Sequence, residues 1–143
     1  MKELSIEEKS LLLKDLCARL PYKVRCKCIN GLGGGKTDNG VLKFIGNCNG
    51  VISNYYEDLP IDSGFVNNVF YPIENIKPYL RSMSSITEEE KAYKEFNFKW
   101  DDYTDWDYVD WLNAHHFDYH GLIPMGLALE APEGMYKNIN RYE

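Results

Sequence analysis

Apolar residues in the first twenty positions recur with a helical period. Leu12, Leu13, Leu16, Cys17 and Leu20 fall at core spacing on a helix predicted over residues 6–19. Ser5-Ile6-Glu7-Glu8 has capping-box spacing at its start: the serine oxygen can take an orphan amide, and Glu8 can reach back to the Ser5 amide. Pro21 predicts the end, because proline biases the residue before it away from helical geometry. From Tyr22 the period drops to two. Tyr22, Val24, Cys26 and Cys28 point one way, and Lys23, Arg25 and Lys27 the other, as in a half-buried strand with one basic face.

A loop of Gly31 to Gly40 leads to a second predicted strand over residues 41–45. Asn47-Cys48-Asn49-Gly50 is a turn signal, since Asn-Gly tolerates positive φ. A third strand is predicted over residues 51–56, a loop over Leu59 to Asn68, and a short fourth strand at Val69-Phe70-Tyr71. Ile73 to Leu80 reads as a helical turn broken by Pro78. Thr87 and Glu90 form a second capping-box pair before a helix over residues 88–96. Thr104 is placed to cap a helix over residues 105–115, and Asp118 to cap one more short turn limited by Pro124 and Gly126. The pattern places neither Leu127 to Glu130 nor the tail after Pro132.

Three or four short antiparallel strands flanked by helices predict an α+β class: a small antiparallel sheet or SH3-like barrel between an N-terminal helix and a helical C-terminal half. A chain of 143 residues is the size of one domain, here parts 1–20, 21–72 and 73–143. It is long enough to bury a core without a disulfide or metal staple. No apolar run approaches a membrane span, and residues 1–19 mix acids and bases, unlike a signal peptide. The expected compartment is therefore a reducing cytoplasm, with Cys17, Cys26, Cys28 and Cys48 as free thiols.

Charge divides the chain. The net charge is −6, yet residues 1–72 hold nine Lys and Arg against eight Asp and Glu, while residues 73–143 hold seven against fourteen. That balance disfavours nucleic acid and anionic membrane as partners of the second half but does not exclude them for the first.

Five stretches carry candidate chemistry. Gly31-Leu32-Gly33-Gly34-Gly35-Lys36-Thr37 imitates a P-loop, but Asn30 stands where its first glycine belongs. The helix that would cradle phosphate is replaced by the Asp38-Asn39-Gly40 turn signal. Cys26-x-Cys28 places two thiols on one strand face, where core packing explains them better than zinc, which needs four ligands. Every histidine lies in His115-His116-Phe117-Asp118-Tyr119-His120, and alternate residues His116, Asp118 and His120 are the set that can converge on a metal.

Residues 100–111 carry five aspartates, three tryptophans and no base. They offer Trp100, Tyr103, Trp106, Asp107, Asp110 and Trp111 as a partner surface, or else form a helix that buries Trp106, Val109 and Leu112. Finally, Lys23, Arg25 and Lys27, extended by Lys43 and loop Lys36, can bind single-stranded nucleic acid where aromatics such as Tyr55 adjoin them. They can equally protect a solvated edge strand from aggregation.

Two stretches carry a resemblance. Ile76-Lys77-Pro78-Tyr79-Leu80-Arg81-Ser82-Met83-Ser84-Ser85-Ile86-Thr87-Glu88-Glu89-Glu90-Lys91 is one. The other is Trp111-Leu112-Asn113-Ala114-His115-His116-Phe117-Asp118-Tyr119-His120-Gly121-Leu122-Ile123 with Gly126-Leu127-Ala128-Leu129-Glu130-Ala131. Together they resemble a family of short uncharacterised proteins from gut anaerobes and their phages and prophages. The resemblance implies a cytoplasmic accessory protein of a mobile element and transfers no catalytic role. In that family an arginine often stands where His120 stands, which implies that a metal site using His120 is not a family property.

No serine–histidine–acid order and no nucleophile motif appears, and no cofactor is implied. The leading expectation is a non-enzymatic accessory protein that binds another protein. Nucleic-acid binding through the basic strand and a metal-dependent enzyme at the histidine cluster are the alternatives.

Overall fold

Local chemistry sets the first helix. In the computed structural model, which describes residues 4–29, 38–46, 63–66, 69–98 and 106–136, α1 spans Ile6–Arg19. Its capping box closes both ways: Ser5 Oγ accepts from the Glu8 amide at 3.1 Å, and Glu8 Oε1 accepts from the Ser5 amide at 2.9 Å. Leu12 and Leu16 are buried, whereas Cys17, expected with them, is exposed. The inner face instead takes Asp15 and Arg19, both fully buried and joined by two hydrogen bonds of 2.7 and 3.0 Å. Only such a two-pronged contact offsets much of the cost of desolvating both charges. Pro21 lies in a 3-10 turn, Leu20–Tyr22, which Lys23 closes in the left-handed conformation at φ 59°.

Two compact units make up the chain, Met1–Tyr79 and Leu80–Glu143. In the first, β1 (Arg25–Cys28) follows α1, and β2 (Asp38–Gly46) starts three residues earlier than its sequence pattern predicts. Then come β3 (Ser63–Val66), β4 (Val69–Pro72) and β5 (Ile76–Leu80). Their order is β4-β3-β2-β1-β5, and neighbouring strands are antiparallel. The sheet is open rather than a closed SH3-like barrel.

Two expectations change. Ser63–Val66 is a strand, not loop, because pairing to β2 and β4 satisfies its backbone. Ile73–Asn75 is a single 3-10 turn, and Ile76–Leu80 is a strand, not a helical turn. Pro78 sits opposite Cys26 in the ladder between β1 and β5. Buried Ile76, Pro78 and Leu80 alternate with exposed Lys77 and half-buried Tyr79, the two-residue period of a strand. Val24, Cys26, Cys28 and Leu42 add to the buried side. The predicted strand over 51–56, the 47–50 turn, Lys36, Cys48, Tyr55 and most of the glycine loop lie outside the described residues.

The second unit is mainly helical. α2 (Glu88–Asn97) carries the Thr87–Glu90 capping box, and α3 spans Trp106–Ala114. Asp118 caps α4 (Leu122–Met125): Oδ1 accepts from the Leu122 amide at 2.8 Å and Oδ2 from the Ile123 amide at 2.9 Å. Tyr108, Leu112 and Phe117 form its core, edged by Met83, Ile86, Phe98, Trp111 and Tyr119. Leu129–Glu130 forms a two-residue strand, β6, and the Ala131 amide beyond it donates to the Leu80 carbonyl at 2.7 Å.

Candidate functional site

On α3, the residues that fill the core and those that meet water separate by helical position. Tyr108, Leu112, Asn113 and Ala114 are buried. Trp106, Asp107 and Asp110 are exposed, and Trp106 keeps 82% of its surface. The alternative in which this helix buries Trp106 and Val109 is therefore corrected: Tyr108 takes the inward place with Leu112, and Val109 is only half-buried. Trp111 is half-buried, its ring near Phe98, His115 and Phe117. Trp100, Tyr103 and the proposed cap Thr104 lie outside the described residues.

α2 adjoins this surface through Tyr93, whose ring stacks on Trp111 with centroids 6.0 Å apart and planes at 10°. Tyr93 remains half-exposed at 51%, and Phe96, three residues on, is 89% exposed. Neither aromatic on α2 was singled out from the sequence; the available signal was their three-residue spacing on an otherwise polar helix. Glu88, Glu89 and Glu95 on α2 are exposed, as are Asp107 and Asp110 on α3. Lys91 on α2 is exposed too, so the two helices carry exposed aromatics together with an excess of carboxylates over cations.

No known family model, curated protein or solved structure matches the chain.

The histidines do not converge. His116 is fully buried at φ 64°, its ring stacked on Tyr136 with centroids 3.6 Å apart. Both Asp118 oxygens accept the α4 amides, and His120 lies against Tyr119. His115 Nδ1 contacts the Trp111 carbonyl oxygen at 3.0 Å. Among the described residues, no group of three His, Cys, Asp or Glu side chains is placed to hold a metal ion, so His116, Asp118 and His120 are not the ligand set that their spacing allows. Capping and stacking consume the geometry that ligation needs.

An open pocket of about 670 Å³ in the same unit is lined by Arg81, Ser85, Thr87, Glu90, Glu133 and Tyr136, among others. Arg81 donates to both Glu90 oxygens at 2.7 Å and to the Ser85 carbonyl at 3.1 Å. Burial pushes the Glu90 carboxyl up, but the hydrogen bonds from Arg81 and the Thr87 amide, with the Arg81 charge, overcome it and hold the group below its ordinary value.

The basic residues lie in the first unit. Lys23, Lys27 and Lys43 are exposed, and Arg25 is half-buried. Lys23 precedes the strand in its left-handed turn instead of lying in it. The register adds Lys77, directly opposite Lys27, and Tyr79 two residues on. Their signal in the sequence was the alternation Ile76-x-Pro78-x-Leu80, hidden by reading Pro78 as a helix breaker.

Proposed function

We propose that this is a non-enzymatic accessory protein whose second unit binds a basic protein partner through the outward faces of α2 and α3. The observation that carries the reading is the exposure of Trp106, 82% of its surface, on a helix whose Tyr108 and Leu112 are packed inward. A tryptophan brings roughly 150–250 Å² of contact at little cost in side-chain entropy, which is why it recurs at binding hot spots. Asp107 and Asp110 on α3, with Glu88, Glu89 and Glu95 against Lys91 on α2, leave these helices with an excess of exposed carboxylates, which favours a positively charged partner and steers its approach. The resemblance of residues 76–91, 111–123 and 126–131 to short proteins of gut anaerobes and their phages and prophages supports an accessory role.

The test is a titration of the full chain with a tryptophan-free amphipathic peptide, lysines on one face and leucines on the other. A blue shift of tryptophan emission is expected, absent in Trp106→Ala and weakened in Phe96→Ala. A scrambled peptide of equal charge that binds as tightly would reduce the contact to bulk electrostatics and sink the proposal.

A further inference from the structure

We infer that the open face of the sheet formed by β1, β2 and β5 binds single-stranded nucleic acid. The inference concerns the first unit and is independent of the α2–α3 surface.

The ladder defines the face. Arg25 lies opposite Val41, Lys27 opposite Asn39 on one side and opposite Lys77 on the other. Directly opposite residues share a face, so Arg25, Lys27, Asn39, Val41, Lys77 and Tyr79 project together, away from buried Val24, Cys26 and Cys28. Tyr79 confirms the geometry: its hydroxyl donates to Asn39 Oδ1 at 3.4 Å, reaching from β5 across β1 to β2. Lys43 is also exposed, but it lies at the register irregularity between Leu42 and Phe44, so the alternation does not assign it to this face.

Three features need explaining together. First, β1 is an inner strand, hydrogen-bonded to β2 and to β5. Edge protection, the ordinary reason for lysines on a strand, therefore does not apply to Lys27. Second, Lys27 and Lys77 face each other as like charges, an arrangement that destabilises a sheet. Among the described residues no carboxylate forms an ion pair with Lys27, Lys43 or Lys77. Third, the cations surround a half-buried tyrosine. Phosphates would relieve the like-charge pair, and a base would stack on Tyr79, the two ingredients of a single-strand platform. The chain's charge of −6 does not bear on this face, since residues 1–79 hold ten Lys and Arg against nine Asp and Glu.

The experiment is fluorescence anisotropy of the full chain with labelled 12-mers of thymidylate and uridylate, with a duplex of equal length, and with anionic lipid vesicles. Three phosphate contacts, to Arg25, Lys27 and Lys77, predict a slope of log K against log salt of about −2, which is about a 20-fold loss between roughly 50 and 200 mM salt. Lys77→Glu turns the like-charge pair into an opposite-charge one, so it is expected to raise the melting temperature while weakening binding at least tenfold and flattening the slope. A variant that merely misfolds cannot move the two in opposite directions. Tyr79→Leu is expected to weaken binding about fivefold or more with the slope unchanged, because stacking is not ionic.

Absence of single-strand binding at 50 mM salt, or equal affinity for the duplex, overturns the inference. So does vesicle binding as tight as the 12-mers with no effect of Tyr79→Leu. Should Lys77→Glu lower the melting temperature, Lys27→Glu makes the same pair from the other strand, and unchanged affinity there overturns it.

Discussion

The guanidinium of Arg81 sits between a carboxylate and an aromatic ring: it donates to both oxygens of Glu90 at 2.7 Å and lies 4.3 Å from the Phe117 ring centroid. Glu90 Oε1 also accepts the Thr87 amide at 2.9 Å, so one carboxylate closes the α2 capping box and holds Arg81. Arg81 in turn bridges in parallel to Phe117: its amide donates to the His116 carbonyl at 2.7 Å, and its carbonyl accepts from the Asp118 amide at 2.8 Å. Arg81→Ala is expected to cost about 2 kcal/mol, since it leaves a half-buried carboxylate with only the Thr87 amide and removes the cation over Phe117. Arg81→Lys should recover less than half, because an ammonium cannot make the two-pronged contact. Urea denaturation measures both, and a cost under about 1 kcal/mol for Arg81→Ala would contradict the assigned role.

The same pair sets an acid limit. Glu90 is held below its ordinary value in the folded chain, so its stabilisation is fully present above that ordinary value and is lost as pH falls through the lower folded one. Melting temperature should therefore drop on acidification in that window. In Glu90→Gln the drop should be smaller, from a lower starting stability at neutral pH.

A second pair lies wholly out of water. Asp15 and Arg19 are both 0% exposed, so removing one partner leaves a buried charge. Asp15→Ala is expected to cost about 3–5 kcal/mol, whereas Asp15→Leu combined with Arg19→Met should recover most of it, as apolar replacement of buried pairs often does. A double variant no better than the single one would show that the pair has further obligations.

Thiol chemistry should distinguish the cysteines. Cys17 is exposed, and Cys26 and Cys28 are buried. Burial, then the neighbouring Cys28 and Asp15, push the Cys26 thiol well above its ordinary value, leaving little thiolate to react. Brief alkylation of the native chain, read by peptide mass spectrometry, should label Cys17 and spare Cys26 and Cys28 until urea unfolds the protein.

His116 occupies a left-handed conformation at φ 64° with its ring fully buried. His116→Asn keeps a residue that tolerates this region, while His116→Val adds β-branched strain to the loss of the Tyr136 stack. Val is expected to be the less stable of the two by about 1 kcal/mol or more in thermal or urea unfolding.

Legibility followed the range of the interactions. Both capping boxes, the ends of α1 and the Asp118 cap were readable because each is settled within five residues by side-chain oxygens and nearby amides. β5 was not, because what makes residues 76–80 a strand is β1, some fifty positions earlier, and Pro78 hid a pattern only five residues long. Trp106 was misplaced in one reading for a related reason: periodicity fits either face of a nine-residue helix, and only packing against Phe98 and Phe117 chose Tyr108 and Leu112 for the inside.

The sequence by itself determined the α+β class, α1 and α2 with their capping boxes, the burial of Cys26 and Cys28, and the two-sided character of β1. All follow from periods and hydrogen bonds that a short segment carries on its own. Tertiary structure alone decided that the sheet is open, that β1 is an inner strand with Lys27 facing Lys77, that Trp106 meets water, and that the histidines are spent on stacking. Each of these depends on which distant segment supplies the partner, and pairing across long loops is chosen by the whole set of contacts rather than by residues next to one another.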